Sequence, residues 1–171
     1  MVPILVYLLI SWQKHLEPCS VRYFWLKSIN FCNHWRDVSI AKLKAIRDIW
    51  RSSAERFGDR VALVDAHHDL PTNMTYNQLE EDILNFEEGL RVIGIKPCEK
   101  VLLFADNSCR WLVADQGIMA TGAINIVRGS RSSIEELLHI YTHSESVALA
   151  VDNPEFYHRI ATRFNSKASV R

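Results

Sequence analysis

The sequence lacks the features that identify several large classes of protein. Its cysteines, Cys19, Cys32, Cys98 and Cys109, are far apart and form no Cys-x-x-Cys pair. Such scattered cysteines argue against a zinc site and a disulfide scaffold, and they favour a reducing compartment. The apolar run from Val2 to Ile10 is too short to span a bilayer as a helix. No Lys or Arg precedes that run, so it fits a secretory signal peptide poorly.

Neither sign of charge is in excess. Twenty Lys and Arg residues balance twenty Asp and Glu residues, so the formal net charge at pH 7 is zero. A neutral chain has no global attraction to nucleic acid or to an anionic surface, and no nucleic-acid partner is expected. Apolar residues make up 48% of the 171 residues and charged residues 23%. These values are ordinary for a globular protein that buries a core of its own.

Signature motifs of catalysis are also missing. The sequence contains no G-x-x-x-x-G-K-S/T phosphate loop, no G-x-G-x-x-G fingerprint and no G-x-S-x-G elbow. His67 and His68 are adjacent on a predicted loop, and His139 and His143 are four apart on a predicted helix. Neither pair has a third ligand at suitable spacing, so solvated side chains are the preferred interpretation. We therefore predict no catalytic residue and no metal ligand.

An alternation of strand and helix patterns is present from Lys100 to Asp152. Apolar strands and amphipathic or apolar helices follow one another over Lys100–Ala105, Trp111–Ala120, Ala123–Val127, Ser133–Ser144 and Val147–Val151. This order predicts a parallel βαβαβ unit with right-handed crossovers. The predicted fold class is α/β, a partial parallel sheet flanked by helices. Asp115 and Gln116 are expected to mark the outer face of the first helix of the unit.

Further elements are predicted on both sides of this unit. A helix is expected from Ser39 to Gly58, a strand over Arg60–Val64, and a loop from Asp65 to Asn73. Thr75 and Gln78 have the spacing of a capping box, which starts a helix that ends near Gly94. The acidic residues of that helix are interpreted as its solvated side, and Asn153-Pro154 starts a last helix. The predicted core residues are Phe86, Leu90, Leu103, Trp111, Ile118, Leu138 and Leu149.

The loops at the carboxyl ends of the strands are the predicted place for a ligand, because open α/β sheets bind there. These loops are Asp106 to Ser108, Arg128 to Ser130 and Asp152 to Asn153. Together with Arg131, the second of them could surround an anion with two guanidinium groups and backbone N–H groups. We call Arg128–Arg131 the anion loop. Its predicted anchor is Arg128 together with the backbone of Gly129 and Ser130. The alternative is that Arg128 and Arg131 are surface charges and that Gly129 only makes the turn.

Residues 1–38 differ in composition from residues 39–171, and we predict a domain boundary between them. Aromatic and basic residues alternate in this first part and acidic residues are scarce. Three interpretations stay open: an organelle-targeting leader, an amphipathic anchor at a membrane surface, or an unstructured extension. In each case we expect loose packing on the α/β unit, with Trp12, Trp25 and Phe31 not buried against it.

Several segments carry a family resemblance. Trp50 to Val64, the Thr-Tyr-x-x-Leu motif at Thr75–Leu79, and the Ala-x-Gly-Ala motif at Ala120–Ala123 resemble the opening of AMP-forming acyl-activating enzymes. The stretch from Ala105 to Asn125, followed by Val127 to Ser133, closely resembles the plant long-chain acyl–acyl-carrier-protein synthetase branch, whose members are chloroplast proteins. The resemblance covers about Ile46 to Arg171 and not the first forty residues.

The resemblance implies a function that the residues themselves do not show. Members join a fatty acid to AMP with MgATP and pass the acyl group to a thiol carrier, either acyl carrier protein or CoA. Their phosphate loop, acidic ATP motif and catalytic lysine have no counterpart here, so no cofactor site is predicted to be retained. We expect this chain alone to be inactive, as a gene-model fragment, splice product or pseudogene would be. The alternatives are a small α/β interaction module and a non-functional remnant. The resemblance implies a location in the chloroplast, and the expected location is the cytoplasm if the leader is not a transit peptide.

Overall fold

The computed structural model describes residues 7–9, 43–65 and 72–168. The elements in these ranges are β1 (Tyr7–Leu9), α1 (Asp48–Phe57), β2 (Val61–Asp65), β3 (Thr72–Thr75), α2 (Tyr76–Val92), β4 (Lys100–Phe104), α3 (Cys109–Ala120), β5 (Ile124–Arg128), α4 (Ile134–Ser144), β6 (Ala148–Val151) and α5 (Pro154–Ala168). The predicted βαβαβ unit is β4 to β6 with its two helices. Each of its five predicted elements is confirmed to within two residues at either end.

The main sheet has the strand order β1-β6-β4-β5 and is parallel throughout. β4 is central, because Leu103 is in register with Val127 of β5 on one side and with Ala150 of β6 on the other. The parallel sheet predicted from the sequence is thus confirmed. β2 and β3 form a separate antiparallel pair, and β3 was not predicted, since the loop was expected to run to Asn73.

Two cores lie on opposite faces of the sheet. Alternate residues of β4 point to opposite sides, so Val101 and Leu103 face α2 and α3 while Leu102 and Phe104 face α4 and α5. The first core is rich in small residues, with Ala105, Ala114, Ala123, Ala148 and Ala150 among its members. The second contains the aromatic side chains Phe104, Phe156 and Phe164. Of the predicted core residues, Leu90, Leu103, Ile118 and Leu149 are buried, and Phe86, Trp111 and Leu138 pack against these cores half-buried.

Side-chain caps fix the beginnings of the helices. The predicted capping box is present, since Gln78 N donates to Thr75 Oγ1 over 3.2 Å and Thr75 N donates to Gln78 Oε1 over 2.9 Å. Ser108 Oγ accepts from Trp111 N at the start of α3. Asn153 Oδ1 accepts from Phe156 N over 2.7 Å at the start of α5. These bonds satisfy backbone donors that have no partner inside their helix.

The first described helix is shorter than predicted. α1 begins at Asp48, and the preceding residues form a bend at Ala45 and a turn over Ile46 and Arg47. The carboxylate of Asp48 accepts hydrogen bonds from Lys44 N and Ala45 N, over 2.8 and 2.9 Å. These two bonds hold the pKa of Asp48 below its ordinary value. The apolar periodicity continued through Leu43 and Ile46, but Ile46 is 59% exposed, since the turn closed by Asp48 separates it from the helix.

The segment before residue 43 is described only at β1. Tyr7 to Leu9 pair in parallel with Leu149 to Val151 of β6, so this short piece joins the sheet where loose packing was expected. The expectation also named Trp12, Trp25 and Phe31. These three residues lie outside the described residues. Among the described helices, none has the length and apolar character needed to cross a bilayer.

Candidate functional site

The carboxyl end of β4 is where the connections of the main sheet diverge. The chain leaves β4 towards α3 on one face, whereas it leaves β5 and β6 towards α4 and α5 on the other. Loops that depart to opposite faces leave a crevice between neighbouring strands, and such crevices bind ligands in open α/β sheets. Here β4 has a crevice on each side, and Asp106, two residues beyond the strand, lies between the two.

The crevice between β4 and β5 is occupied by the carboxylate of Asp106. Its Oδ1 accepts from the backbone N–H of Ser130 over 3.1 Å, and its Oδ2 accepts from Nε of Arg131 over 2.9 Å. A Cβ placed on Gly129 would lie 3.5 Å from Oδ1, an ordinary contact distance. The anion loop therefore surrounds a carboxylate that belongs to the same chain.

The structure gives the two arginines of the anion loop different partners. The guanidinium of Arg128, the predicted anchor, forms a 2.6 Å ion pair with Glu136 on α4. The guanidinium that reaches the carboxylate inside the loop is that of Arg131. The backbone N–H of Ser130 donates to the carboxylate of Asp106. Whether Arg128, Gly129 and Ser130 bind an external anion stays a prediction.

The crevice between β4 and β6 is organised by Asp152. Its Oδ2 accepts from the backbone N–H of Asp106 over 3.1 Å, and its Oδ1 accepts from Nδ2 of Asn153 over 2.9 Å. Beside it lies a small pocket, which is lined by Leu103, Ala105, Arg110, Trp111, Ala114, Val151 and Asp152. Within the described part of the chain, the buried Nε1 of Trp111 has no hydrogen-bond partner. The pocket walls thus combine an indole donor, a cation and a carboxylate.

A polar chain that the sequence did not indicate links α1, α3 and β5. Trp50 Nε1 donates to Gln116 Oε1 over 2.6 Å, and Gln116 Nε2 donates to Asp115 Oδ2 over 2.7 Å. The other oxygen of Asp115 accepts from Nδ2 of Asn125. The prediction that Asp115 and Gln116 mark an outer face is wrong for Gln116, which is 7% exposed. The physical reason is that α1 covers this side of α3 and supplies a partner for the amide.

The residues weighed as metal ligands do not gather into a site. His139 and His143 are both exposed on α4, with rings stacked at a centroid distance of 5.7 Å. His67 and His68 lie outside the described residues. On α2, Glu80 pairs with Arg51 and Glu87 pairs with Arg91, which accounts for part of the acidic cluster. Across the described ranges, no group of three or more His, Cys, Asp or Glu is placed to hold a metal ion.

The chain matches one family of enzymes and is similar to two plant proteins. Residues 50–170 match the family described as AMP-binding enzyme. The chain is 73% identical over 163 residues to the long-chain-fatty-acid–acyl-carrier-protein ligase AEE15, chloroplastic, of Arabidopsis thaliana, a match that covers 94% of the chain and 22% of that protein. It is 71% identical over 128 residues to probable acyl-activating enzyme 16, chloroplastic, of the same plant, covering 75% of the chain and 18% of that protein.

Solved structures share the fold. A benzoate CoA ligase from Burkholderia xenovorans matches with a TM-score of 0.64 and 22% identity, over 72% of this chain and 24% of its own. A fatty acid AMP ligase from Legionella pneumophila matches with a TM-score of 0.58 and 22% identity, over 65% of this chain and 20% of its own. At such identities the likeness shows the fold alone.

The match to AEE15 extends further than the sequence motifs indicated. A resemblance beginning near Ile46 was expected, but a match over 94% of the chain reaches well into the first forty residues. The motifs that carried the resemblance are those of the α/β core, which explains why the earlier part was not recognised. The placing of a domain boundary near residue 38 stays a prediction.

Proposed function

This chain belongs to the family of AMP-binding enzymes, and from that premise we propose that it forms the first part of the AMP-binding domain of a long-chain fatty acid ligase. The observation that carries the proposal is the 73% identity to AEE15 over 94% of the chain. The proposed substrates are a long-chain fatty acid and ATP, and the proposed acyl acceptor is acyl carrier protein. The chain spans 22% of the length of that relative, so these substrates concern a longer assembly of which it supplies one part.

The proposed contribution of the described residues is a scaffold with one ligand-facing edge. The carboxyl edge of the sheet places Asp106, the anion loop and the Trp111 pocket side by side. Parallel strands with both faces covered form a rigid support, which is what a binding site built on their loops requires. The pocket beside Asp152 is too small to enclose a fatty acid or a nucleotide.

Mg²⁺ accompanies ATP in the reaction that the family resemblance implies. The carboxylates nearest the proposed edge are Asp106 and Asp152, and all four of their oxygens accept hydrogen bonds from N–H groups. One of these donors is the guanidinium of Arg131, whose positive charge opposes a second cation at the Asp106 carboxylate. Within the described ranges no three His, Cys, Asp or Glu side chains come together around a cation, so the proposal assigns none of these residues a step in the chemistry of the ion.

We also propose that the protein acts in the chloroplast. Both Arabidopsis relatives carry that location in their names, and the match to one of them covers 94% of the chain. The test is the location of a fluorescent protein fused after Arg171, compared with the same fusion without residues 1–38. Plastid signal that depends on residues 1–38 would support the targeting interpretation of this segment. Cytoplasmic signal from both fusions would contradict the proposed location.

A chimera tests the proposed function. The segment of AEE15 that matches this chain is replaced by residues 1–171, and the product is assayed for acyl-carrier-protein acylation with a long-chain fatty acid and ATP. Unmodified AEE15 is the positive control, and residues 1–171 alone, which we expect to release no pyrophosphate, give the baseline. Acylation within about tenfold of AEE15 is expected. A chimera that unfolds cooperatively like AEE15 but shows only baseline activity would refute the proposal.

A further inference from the structure

We propose that the anion loop is a true anion-binding site whose resident ligand is the Asp106 carboxylate, and that a free carboxylate or phosphate replaces this ligand when the Asp106 side chain is absent. The inference is independent of the ligase function proposed above. It rests on three observations: the hydrogen bonds to the Asp106 carboxylate, the bonds that hold the backbone of the loop, and the solvent exposure of the site.

The donors of the loop converge on one anion from two directions. Ser130 N–H binds Oδ1 and Arg131 Nε–H binds Oδ2, so each oxygen of the carboxylate has its own donor. A guanidinium and a backbone amide are the groups that proteins use for carboxylates and phosphates, and bonds to charged acceptors are stronger than neutral ones. The pair of contacts therefore defines the chemistry of the ligand, a small oxyanion.

The loop is held in place by bonds that do not involve Asp106. Ser132 N donates to Gly129 O over 3.2 Å and closes the turn. Ala105 N donates to Arg128 O over 3.1 Å and fixes the end of β5 against β4. From α5, Arg159 donates to Ser130 O over 3.0 Å. The peptide group that carries the Ser130 N–H is the one that contains Gly129 O, and the bond from Ser132 N anchors it. The Arg159 bond holds the following peptide group, so the Ser130 N–H stays directed into the crevice when the carboxylate is removed.

The site is open to solvent and has room on one side. The side chain of Arg131 is 89% exposed and that of Asp106 is 37% exposed, so an ion from solution has a path to both donors. Gly129 places no side chain beside Oδ1, which leaves space for the wider phosphate as well as for a carboxylate. Asp152, which accepts from Asp106 N, adds a negative charge that would repel a bound anion. We therefore expect binding in the millimolar range and a preference for singly charged anions.

The experiment is chemical rescue of an Asp106→Ala variant of the 171-residue chain. Removing the carboxylate leaves Arg131 and the Ser130 amide without their ligand, so the midpoint of thermal unfolding falls. Sodium acetate or sodium phosphate at about 50 mM is then expected to raise that midpoint by about 3–5 °C more than sodium chloride of equal ionic strength. Comparing the acetate and phosphate arms identifies which oxyanion the loop prefers.

Two matched variants define the site. Asp106→Asn keeps an oxygen that can accept from Ser130 N–H, and its side chain fills the place that a free anion would occupy. Neither acetate nor phosphate should therefore rescue this variant. Asp106→Ala combined with Arg131→Gln removes the guanidinium, so the rescue should fall to the chloride level. Rescue of equal size in the wild type, in Asp106→Asn and in the double variant would overturn the proposal, because it would show a general effect of the salts.

The test also holds if Asp106→Ala is unfolded in chloride. Folding induced by acetate or phosphate, followed through a shift of the Ser130 amide signal in NMR spectra, is then the expected result. If Asp106→Ala stays unfolded with both anions while Asp106→Asn folds, the loop cannot use an external anion and the proposal is wrong. Because no ligase assay enters these measurements, their failure leaves the outcome of the chimera experiment unaffected.

Discussion

The indole Nε1–H of Trp50 donates a 2.6 Å hydrogen bond to Oε1 of Gln116, a residue 66 positions further along the chain. This bond ties α1 to α3, and the guanidinium of Arg47 adds a second tie by donating to Ala120 O over 3.1 Å. The two contacts attach the first described helix to the helix that follows the central strand. These two hydrogen bonds attach α1 to the α/β unit, although the residues that they join are far apart in the sequence.

We predict that Trp50→Phe lowers the free energy of unfolding by about 1–3 kcal/mol, because Gln116 Oε1 is left without its donor in a buried position. Urea denaturation measures the change. In a Gln116→Leu background the same Trp50 substitution should cost less, since no amide oxygen remains to be satisfied. Equal costs in both backgrounds would show that the hydrogen bond contributes nothing beyond the packing of the ring.

Gly117 sets the distance between α2 and α3. A Cβ built on it would lie 2.6 Å from Cδ1 of Phe86, which is closer than a non-bonded contact of a Cβ atom allows. We predict that Gly117→Ala destabilises the protein by about 1–3 kcal/mol through overpacking, despite the better helix propensity of Ala. The matched control is Gly89→Ala, because nothing lies within 4 Å of a Cβ at that helical position. This control should stabilise by about 0.5–1 kcal/mol, and a loss of stability in both variants would contradict the assigned cause.

Asp82 makes the stability of α2 depend on pH. Burial raises the pKa of its carboxyl, and the negative charge of Glu81 adds to that shift. A raised pKa means that the folded state holds the proton more tightly than the unfolded state, so the ionised form penalises folding above the raised pKa. This penalty falls as the pH falls through that pKa, and it is gone below the ordinary value of 3.8.

We therefore predict that Asp82→Asn stabilises the protein at neutral pH and that the gain disappears as the pH falls towards 3.8. Urea denaturation at a series of pH values checks the sign and the window. Glu88→Gln, at an exposed position of the same helix, controls for the loss of one negative charge. A gain from Asp82→Asn that is constant over the whole range would exclude titration of Asp82 as its cause.

Phe164 completes the second core from α5. It is fully buried, and its ring stacks on Tyr141 of α4 at a centroid distance of 4.3 Å. Phe164→Ala is predicted to cost about 3–5 kcal/mol, because it removes buried apolar area and leaves a cavity. Val92→Ala is the matched control, since Val92 is 77% exposed and its truncation should change little. A Phe164→Ala variant with near wild-type stability would show that α5 does not hold the sheet together.

The sequence predicted the central unit well because its signals are local and strong. Runs such as Val101 to Phe104 are apolar on every residue, and capping residues such as Thr75 and Asn153 act within three positions of their partners. β3 was missed because Thr72 to Thr75 is short and largely polar. It is a strand only through pairing with β2, which no local pattern encodes.

The sequence predicts which loops lie at the carboxyl edge of the sheet but not which side chains pair within them. The loops at the carboxyl ends of the strands follow from the order of the elements, so Asp106 and Ser130 were expected at one edge. Arg128 forms an ion pair with Glu136 of α4, and the carboxylate of Asp106 is therefore bound by Arg131 and not by Arg128. Such a choice between two neighbouring arginines arises from tertiary contacts, and the same holds for the burial of Gln116 under α1.

β4 contributes side chains to both cores, and this arrangement fixes the register of the strand. A shift of the strand by one residue would exchange the two sets of side chains and turn Phe104 towards the core that contains Ala148 and Ala150. Leu103 would then enter a space filled by aromatic rings. The two faces therefore accept different side chains from β4. We expect the insertion or deletion of one residue between Lys100 and Phe104 to destabilise the fold far more than a conservative substitution on either face.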